Sequence, residues 1–253
     1  MTSRDEIIAF CDDTLDADAF EDYGPNGLQV PGRGEVTRVA TCVSAHLESI
    51  ERAIALEADL LIAHHGLFWD FHPRALTVPM AARLRAALGA GLNLAGYHLP
   101  LDAHRQIGNN ALICETLGLA LSPEPFGRAK GAAIGAIGRS DDGIPAAELL
   151  ARVRSRINAD ALCFETGPDT VRAVGILSGA GASAIAEAVA SRLDAVITGE
   201  PAEHAMADAR EGSVHFVAAG HYATETFGIR RLGELVAERF GVEHHFIDVP
   251  NPI

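Results

Sequence analysis

Four consecutive residues, Leu60-Leu61-Ile62-Ala63, are all apolar, with Asp59 before them and His64-His65-Gly66 after them. A strand with one wet face alternates apolar and polar residues. An unbroken apolar run of this length belongs to a strand covered on both sides, as in a parallel sheet flanked by helices. The run ends on two adjacent histidines, whose side chains point to opposite sides of an extended chain. Neighbouring imidazoles at a strand end suit two neighbouring metal ions. Two ligands alone do not hold a metal, so further donors must come from elsewhere in the chain.

The flanking chain has the same α/β character. Ser3-x-x-Glu6 is a capping-box pattern opening a helix to about Leu15. A turn-rich stretch follows over 23–32. Strands are predicted at 37–43, 60–63 and 92–96, with helices at 47–57, 79–88 and 109–117 between and after them. Residues 119–129, with Ser122-Pro123-Glu124-Pro125, read as a linker. Beyond it, strands are predicted at 130–139, 171–177, 195–198 and 214–218, with helices at 145–157, 182–191 and 201–209. A long helix to about Phe240 and a last strand at 244–249 close the chain. Alternating strands and helices predict an α/β protein of two similar halves with largely parallel sheets, 1–118 and 130–253.

The halves repeat one plan, and donors fall at matching strand ends, where ligands gather in open α/β sheets. The middle strands end in His64-His65 and in Gly199-Glu200; the third strands are followed by His98 and His221. Asp102 lies four residues past His98, and Glu225 four past His221, one helical turn on. Imidazoles with carboxylates form a mixed N/O set suited to Zn, Mn, Fe, Co or Ni rather than Ca. His204, near Glu200, is a further candidate for the same cleft. Gly179-Ala180-Gly181 before a helix is a place where backbone amides could cradle a phosphate.

Composition narrows the rest. A net charge of −14 opposes nucleic-acid phosphate and anionic membrane surfaces. Arg83, Arg85, Arg152, Arg154 and Arg156 are the basic clusters a nucleic-acid reading would need. No apolar run reaches the roughly 18 residues of a membrane helix. The N-terminus has no secretory pattern. Cys11, Cys42, Cys114 and Cys163 form no C-x-x-C and read as reduced, mostly buried thiols of a cytoplasmic protein.

Five pieces occur in a fixed order: Asn26-Gly27-Leu28-Gln29-Val30, Asp59 to His65, His98-Leu99-Pro100-Leu101-Asp102, Thr198-Gly199-Glu200 and Ala219-Gly220-His221-Tyr222-Ala223-Thr224-Glu225. This set resembles the NIF-three-like family, whose members are labelled GTP cyclohydrolase 1 type 2 homologues or dinuclear-metal-centre hexameric proteins. The resemblance spans nearly the whole chain and implies the NIF-three-like fold in its short form, without the inserted domain of some members. It implies two divalent ions per subunit on His64, His65, Asp102, His221 and Glu225, with the site between the halves. His98, Glu200 and His204 are expected to support those ligands or to line the substrate cleft. A homohexamer, built as a trimer of dimers, is also implied. Gly66 departs from the pattern, standing where many members have proline.

The reading that follows is a dinuclear metal-dependent hydrolase acting on a nucleotide by ring-opening hydrolysis. No G-x-S-x-G or reactive-cysteine motif competes with it. The alternative is a metal-binding assembly without catalysis, serving as a metallochaperone or protein-interaction factor.

Overall fold

The structure is a computed structural model that describes residues 2–253. The chain forms two compact units: residues 2–101 with Gly228–Val249, and Asp102–Phe227 with Pro250–Ile253. Both are α/β.

In the first unit a five-stranded sheet runs in the order Glu243–Phe246, Arg38–Ser44, Leu60–His65, Asn93–Gly96, Gly27–Val30. The first four strands are parallel, and Gly27–Val30 is an antiparallel edge. Leu60 to Ala63 are completely buried, as a run without a polar face requires. Ile50 and Ala53 of the helix Leu47–Ala55, and Met80 and Ala87 of the helix Val78–Ala90, pack with Leu61, Ala63 and Leu94. Thr77 opens the second of these helices, its Oγ1 accepting from the Met80 amide, with Pro79 in the first turn. The capping box at Ser3 is present too, the Ser3 amide donating to Glu6 Oε2.

In the second unit a six-stranded sheet runs Leu162–Phe164, His215–Ala218, Ala195–Thr198, Thr170–Leu177, Ala136–Pro145, Ala120–Leu121. Its three middle members, His215–Ala218, Ala195–Thr198 and Thr170–Leu177, are parallel to one another. The remaining pairings are antiparallel. The helices Asn109–Leu117 and Ala146–Arg156 supply Ile113, Cys114, Leu117, Leu149 and Val153 to its core.

The division differs from a boundary drawn at 118–130. The helix Asn109–Leu117 packs into the second core, and Ala120–Leu121 is an edge strand of the second sheet where a linker was expected. The strand Glu243–Phe246 returns to the first sheet beside Arg38–Ser44. Local periodicity defines an element but not the sheet it joins, so a chain that leaves a unit and returns is read as two consecutive blocks.

The internal repeat extends to single hydrogen bonds. Asp59 Oδ2 accepts from the amides of Thr37 and Arg38, at 2.8 and 3.2 Å. Asp194 Oδ2 accepts from those of Arg172 and Ala173, at 2.7 and 2.9 Å. The next strand then donates to each aspartate's carbonyl, through Asn93 in one unit and His215 in the other. Two residues before each aspartate, Glu57 and Arg192 both stand at φ 55°.

Candidate metal centre

In the first unit, His64 and His65 end the strand Leu60–His65, and His98 lies just past its neighbour Asn93–Gly96. One ligand atom from each of the three imidazoles lies within 4.8 Å of the others. Each ring is fixed through Nδ1. His64 Nδ1 faces the Tyr97 carbonyl at 2.9 Å, His65 Nδ1 the Ser44 hydroxyl at 3.0 Å, and His98 Nδ1 the Asp22 carboxylate at 2.7 Å. With Nδ1 engaged in this way, Nε2 is the nitrogen that can take a metal. His98 therefore belongs to the same cluster as the histidine pair.

Asp22 is a buried anchor. Its Oδ2 accepts from the Leu99 amide at 2.9 Å and from Asn26 Nδ2 at 3.1 Å. Burial raises its pKa, but the bonds from His98, Asn26 and the Tyr23 amide outweigh this and hold the carboxyl below the usual range.

In the second unit, the buried Asp102 Oδ1 accepts from Asn109 Nδ2 at 2.8 Å and from Ser178 Oγ at 2.9 Å. His221 opens the short helix His221–Thr224, which brings Glu225 Oε1 to 3.1 Å from His221 Nε2. His221 Nδ1 meets Glu200 Oε1 at 2.5 Å. Burial lowers the His221 pKa, but Glu225 and Glu200 overcome it and push the ring up to about 9. An imidazolium clasped by two carboxylates is a place where a divalent cation can replace the proton. His204 instead pairs with Asp208 at 2.7 Å on an exposed helix start.

These donors are imidazole nitrogens and carboxylate oxygens, a set that fits a first-row divalent ion. The thiols stand apart chemically: burial pushes Cys42 and Cys114 up to about 12, far from thiolate at neutral pH.

Residues 2–252 match the model of the Duf34/NIF3 (NGG1p interacting factor 3) family. The chain belongs to that family. It is 38% identical to the "GTP cyclohydrolase 1 type 2 homolog" of Deinococcus radiodurans, covering 98% of this chain and 93% of that one. It is 40% identical to a protein of the same name from Pyrococcus horikoshii, covering 98% of both. Among solved structures, "protein ybgI, unknown function" superposes with a TM-score of 0.93 at 37% identity, with full coverage of both chains. TTHA1606 of Thermus thermophilus does so at 0.89 and 32% identity, again with full coverage.

Within this DUF34/NIF3 chain, several supporting residues escape a reading by donor type. Asn26 and Gln29 carry no metal chemistry but hold the first donor set. Asn26 Oδ1 accepts from the His98 amide, and Gln29 Oε1 accepts from the Leu67 amide at 2.7 Å. Gly66 and Gly96 leave room for the Gln29 amide, since a Cβ on either would lie 2.3 or 2.6 Å from Gln29 Nε2. The glycine after the histidine pair is thus part of a tethered loop, with Trp69 Nε1 also donating to its carbonyl at 3.1 Å.

Gly179, expected to offer its amide to a phosphate, is used inside the protein. Its N–H donates to Thr224 Oγ1, and its carbonyl accepts from the amides of Gly199 and Glu200. The Gly181 amide likewise donates to Thr198 Oγ1. The histidines outside the cluster have structural bonds: His46 caps a helix, His215 joins Gly167 to Pro168, and His244 meets Thr41. Arg152 and Arg156 donate to the last carbonyls of the helix Asn109–Leu117.

Proposed function

We propose that this DUF34/NIF3 protein is a dinuclear metal-dependent hydrolase whose two divalent ions are held by His64, His65, Asp102, His221 and Glu225. The observation that carries the reading is the anchoring of His64, His65, His98 and His221 through Nδ1, which makes Nε2 the nitrogen each ring could offer a metal. Bound ions of this kind supply Lewis-acid chemistry, polarising a substrate and acidifying water. The chain's own part is to orient. Ser44, Asp22 and Glu200 fix the rings, and Asn109 with Ser178 fixes Asp102 on one oxygen. The relatives named as GTP cyclohydrolase homologues favour a nucleotide as substrate and hydrolytic ring opening as the reaction. A homohexamer, a trimer of dimers in the cytoplasm, completes the proposal.

One observation favours a second reading, a metal-holding assembly or metallochaperone. The space against His64 and His98, bounded by Asn26, Gln29 and Gly66, is only about 10 Å³, room for about one water. Metal analysis after chelation and reloading, followed by a turnover screen over nucleotides, separates the two. The hydrolase reading expects two ions per chain and turnover that His65→Ala and Glu225→Ala each abolish. Turnover surviving both changes ends it, and tight metal without turnover on any nucleotide selects the second reading.

A further inference from the structure

The segment from Phe68 into the helix Val78–Ala90 encloses a cavity of about 440 Å³, lined by Phe68, Trp69, His72, Arg74, Leu76 and Arg83 among others. Three observations define its chemistry. First, it is aromatic on one side. Phe68 and Trp69 line it; Trp69 is backed by Phe71, which lies outside the lining, with ring centroids 5.6 Å apart and planes at 19°, and its indole is tied to the Gly66 carbonyl. Second, its charge opposes that of the protein. The chain carries −14, yet the charged side chains lining the cavity are Arg74 and Arg83, with no acidic residue among the described lining. Third, Trp69 is shared with the histidine cluster: its ring lies 5.0 Å from that of His98 and 5.8 Å from that of His65, centroid to centroid.

We propose that this cavity binds a planar aromatic ring carrying an anionic arm, the ring packing against the Trp69 side and the anion held by Arg74 and Arg83. An aromatic face accepts any flat heterocycle, whereas guanidinium groups select phosphate or carboxylate by paired hydrogen bonds. A nucleoside monophosphate has both parts. The inference rests on the hydrolase reading only in taking this ligand to be the substrate. Binding itself needs no metal, because every residue invoked belongs to the chain.

Trp69 is the chain's single tryptophan, so its fluorescence reports the cavity directly. The full-length protein is titrated with guanosine 5′-monophosphate, guanosine and inorganic phosphate, once stripped of metal and once reloaded, with absorbance corrected. The monophosphate should quench saturably in both states, and guanosine should bind about ten-fold more weakly for want of the charged bonds. The double variant Arg74→Ala/Arg83→Ala should bring the monophosphate to the level of guanosine. Arg85→Ala, an exposed arginine outside the lining, should change nothing. Equal binding of monophosphate and guanosine overturns the proposal, as does an absence of saturable quenching. It is also overturned if the double variant alters the sedimenting mass while the monophosphate leaves the fluorescence unchanged, since the loop is then a subunit contact. Quenching by the monophosphate with no turnover of any nucleotide by the metal-loaded protein sinks the hydrolase reading and leaves the cavity assigned. Nucleotide turnover that is indifferent to both arginines does the reverse.

Discussion

Gly179→Ala is the sharpest test of the second donor set, because it adds one methyl group and removes no donor. Gly179 stands at φ +67°, where an L-residue costs about 1–2 kcal/mol. A Cβ there would lie 2.5 Å from Glu225 Oε1 and 3.2 Å from His221 Nε2. The backbone cannot retreat readily. The Gly179 amide is bonded to Thr224, and its carbonyl accepts from Gly199 and Glu200 at 2.8 and 3.0 Å. The carboxylate must therefore move, and driving a buried side chain off its rotamer costs about 0.5–1.5 kcal/mol more. The sum is roughly 1.5–3.5 kcal/mol of stability. Metal affinity should fall by about 10- to 100-fold, the usual loss when the support of a ligand is disturbed. Competition with a metallochromic chelator gives the affinity, and denaturant melts of metal-free protein give the stability. A variant that loses the stability but binds metal like the wild type would refute the placement of Glu225 and His221 among the ligands.

Three further outcomes follow from the same geometry. His221 has a folded pKa raised from 6.5 to about 9 in metal-free protein, so its contribution to stability is whole below about 6.5 and is lost as pH climbs through 9. Thermal melts of chelator-treated protein should fall across that window, and Glu200→Gln should flatten the decline. Asp22→Ala strands the Leu99 amide and the His98 ring, which should cost about 2–3 kcal/mol by denaturant melts and weaken metal binding, with Asp22→Asn milder on stability. Asp59→Ala and Asp194→Ala each remove a carboxylate that ties two successive amides of the adjoining strand. Each should cost about 1.5–3 kcal/mol in urea melts while leaving metal stoichiometry unchanged.

The elements were readable because each leaves a local mark, and the candidate donors were picked out by residue type and spacing. Leu60 to Ala63, a short apolar run bounded by polar residues and glycine, read as a buried strand, and the pairs His98/Asp102 and His221/Glu225 carry helical spacing. The anchors left weaker marks. Asp22 sits in an acidic stretch with Glu21 and resembles a solvated surface residue, yet it is the partner of His98. Asn26 and Gln29 read as turn chemistry, although Asn26 grips the His98 backbone and Gln29 fills space vacated by Gly66 and Gly96. Such roles depend on what lies opposite in space. The same reason hides the return of Glu243–Phe246 to the first sheet, since nothing within four residues names the strand they pair with.

The repeat separates what holds the fold from the residues that could hold a metal. Asp59 and Asp194 match in their bonds, and so do the Tyr97 and Ala219 amides, which donate to Ala63 and Thr198 four residues past each aspartate. Six residues past the aspartates the correspondence of chemistry breaks: His65 stands in one unit and Glu200 in the other. His65 turns Nδ1 to Ser44, which makes Nε2 its candidate metal-binding nitrogen, whereas Glu200 accepts the Nδ1 side of His221. One scaffold position thus offers a donor in the first unit and the brace of a donor in the second. Two copies of a single site would have repeated the ligands along with the strands. Their divergence on a shared frame sets the two candidate clusters apart, three imidazoles in the first unit and a histidine between two carboxylates in the second.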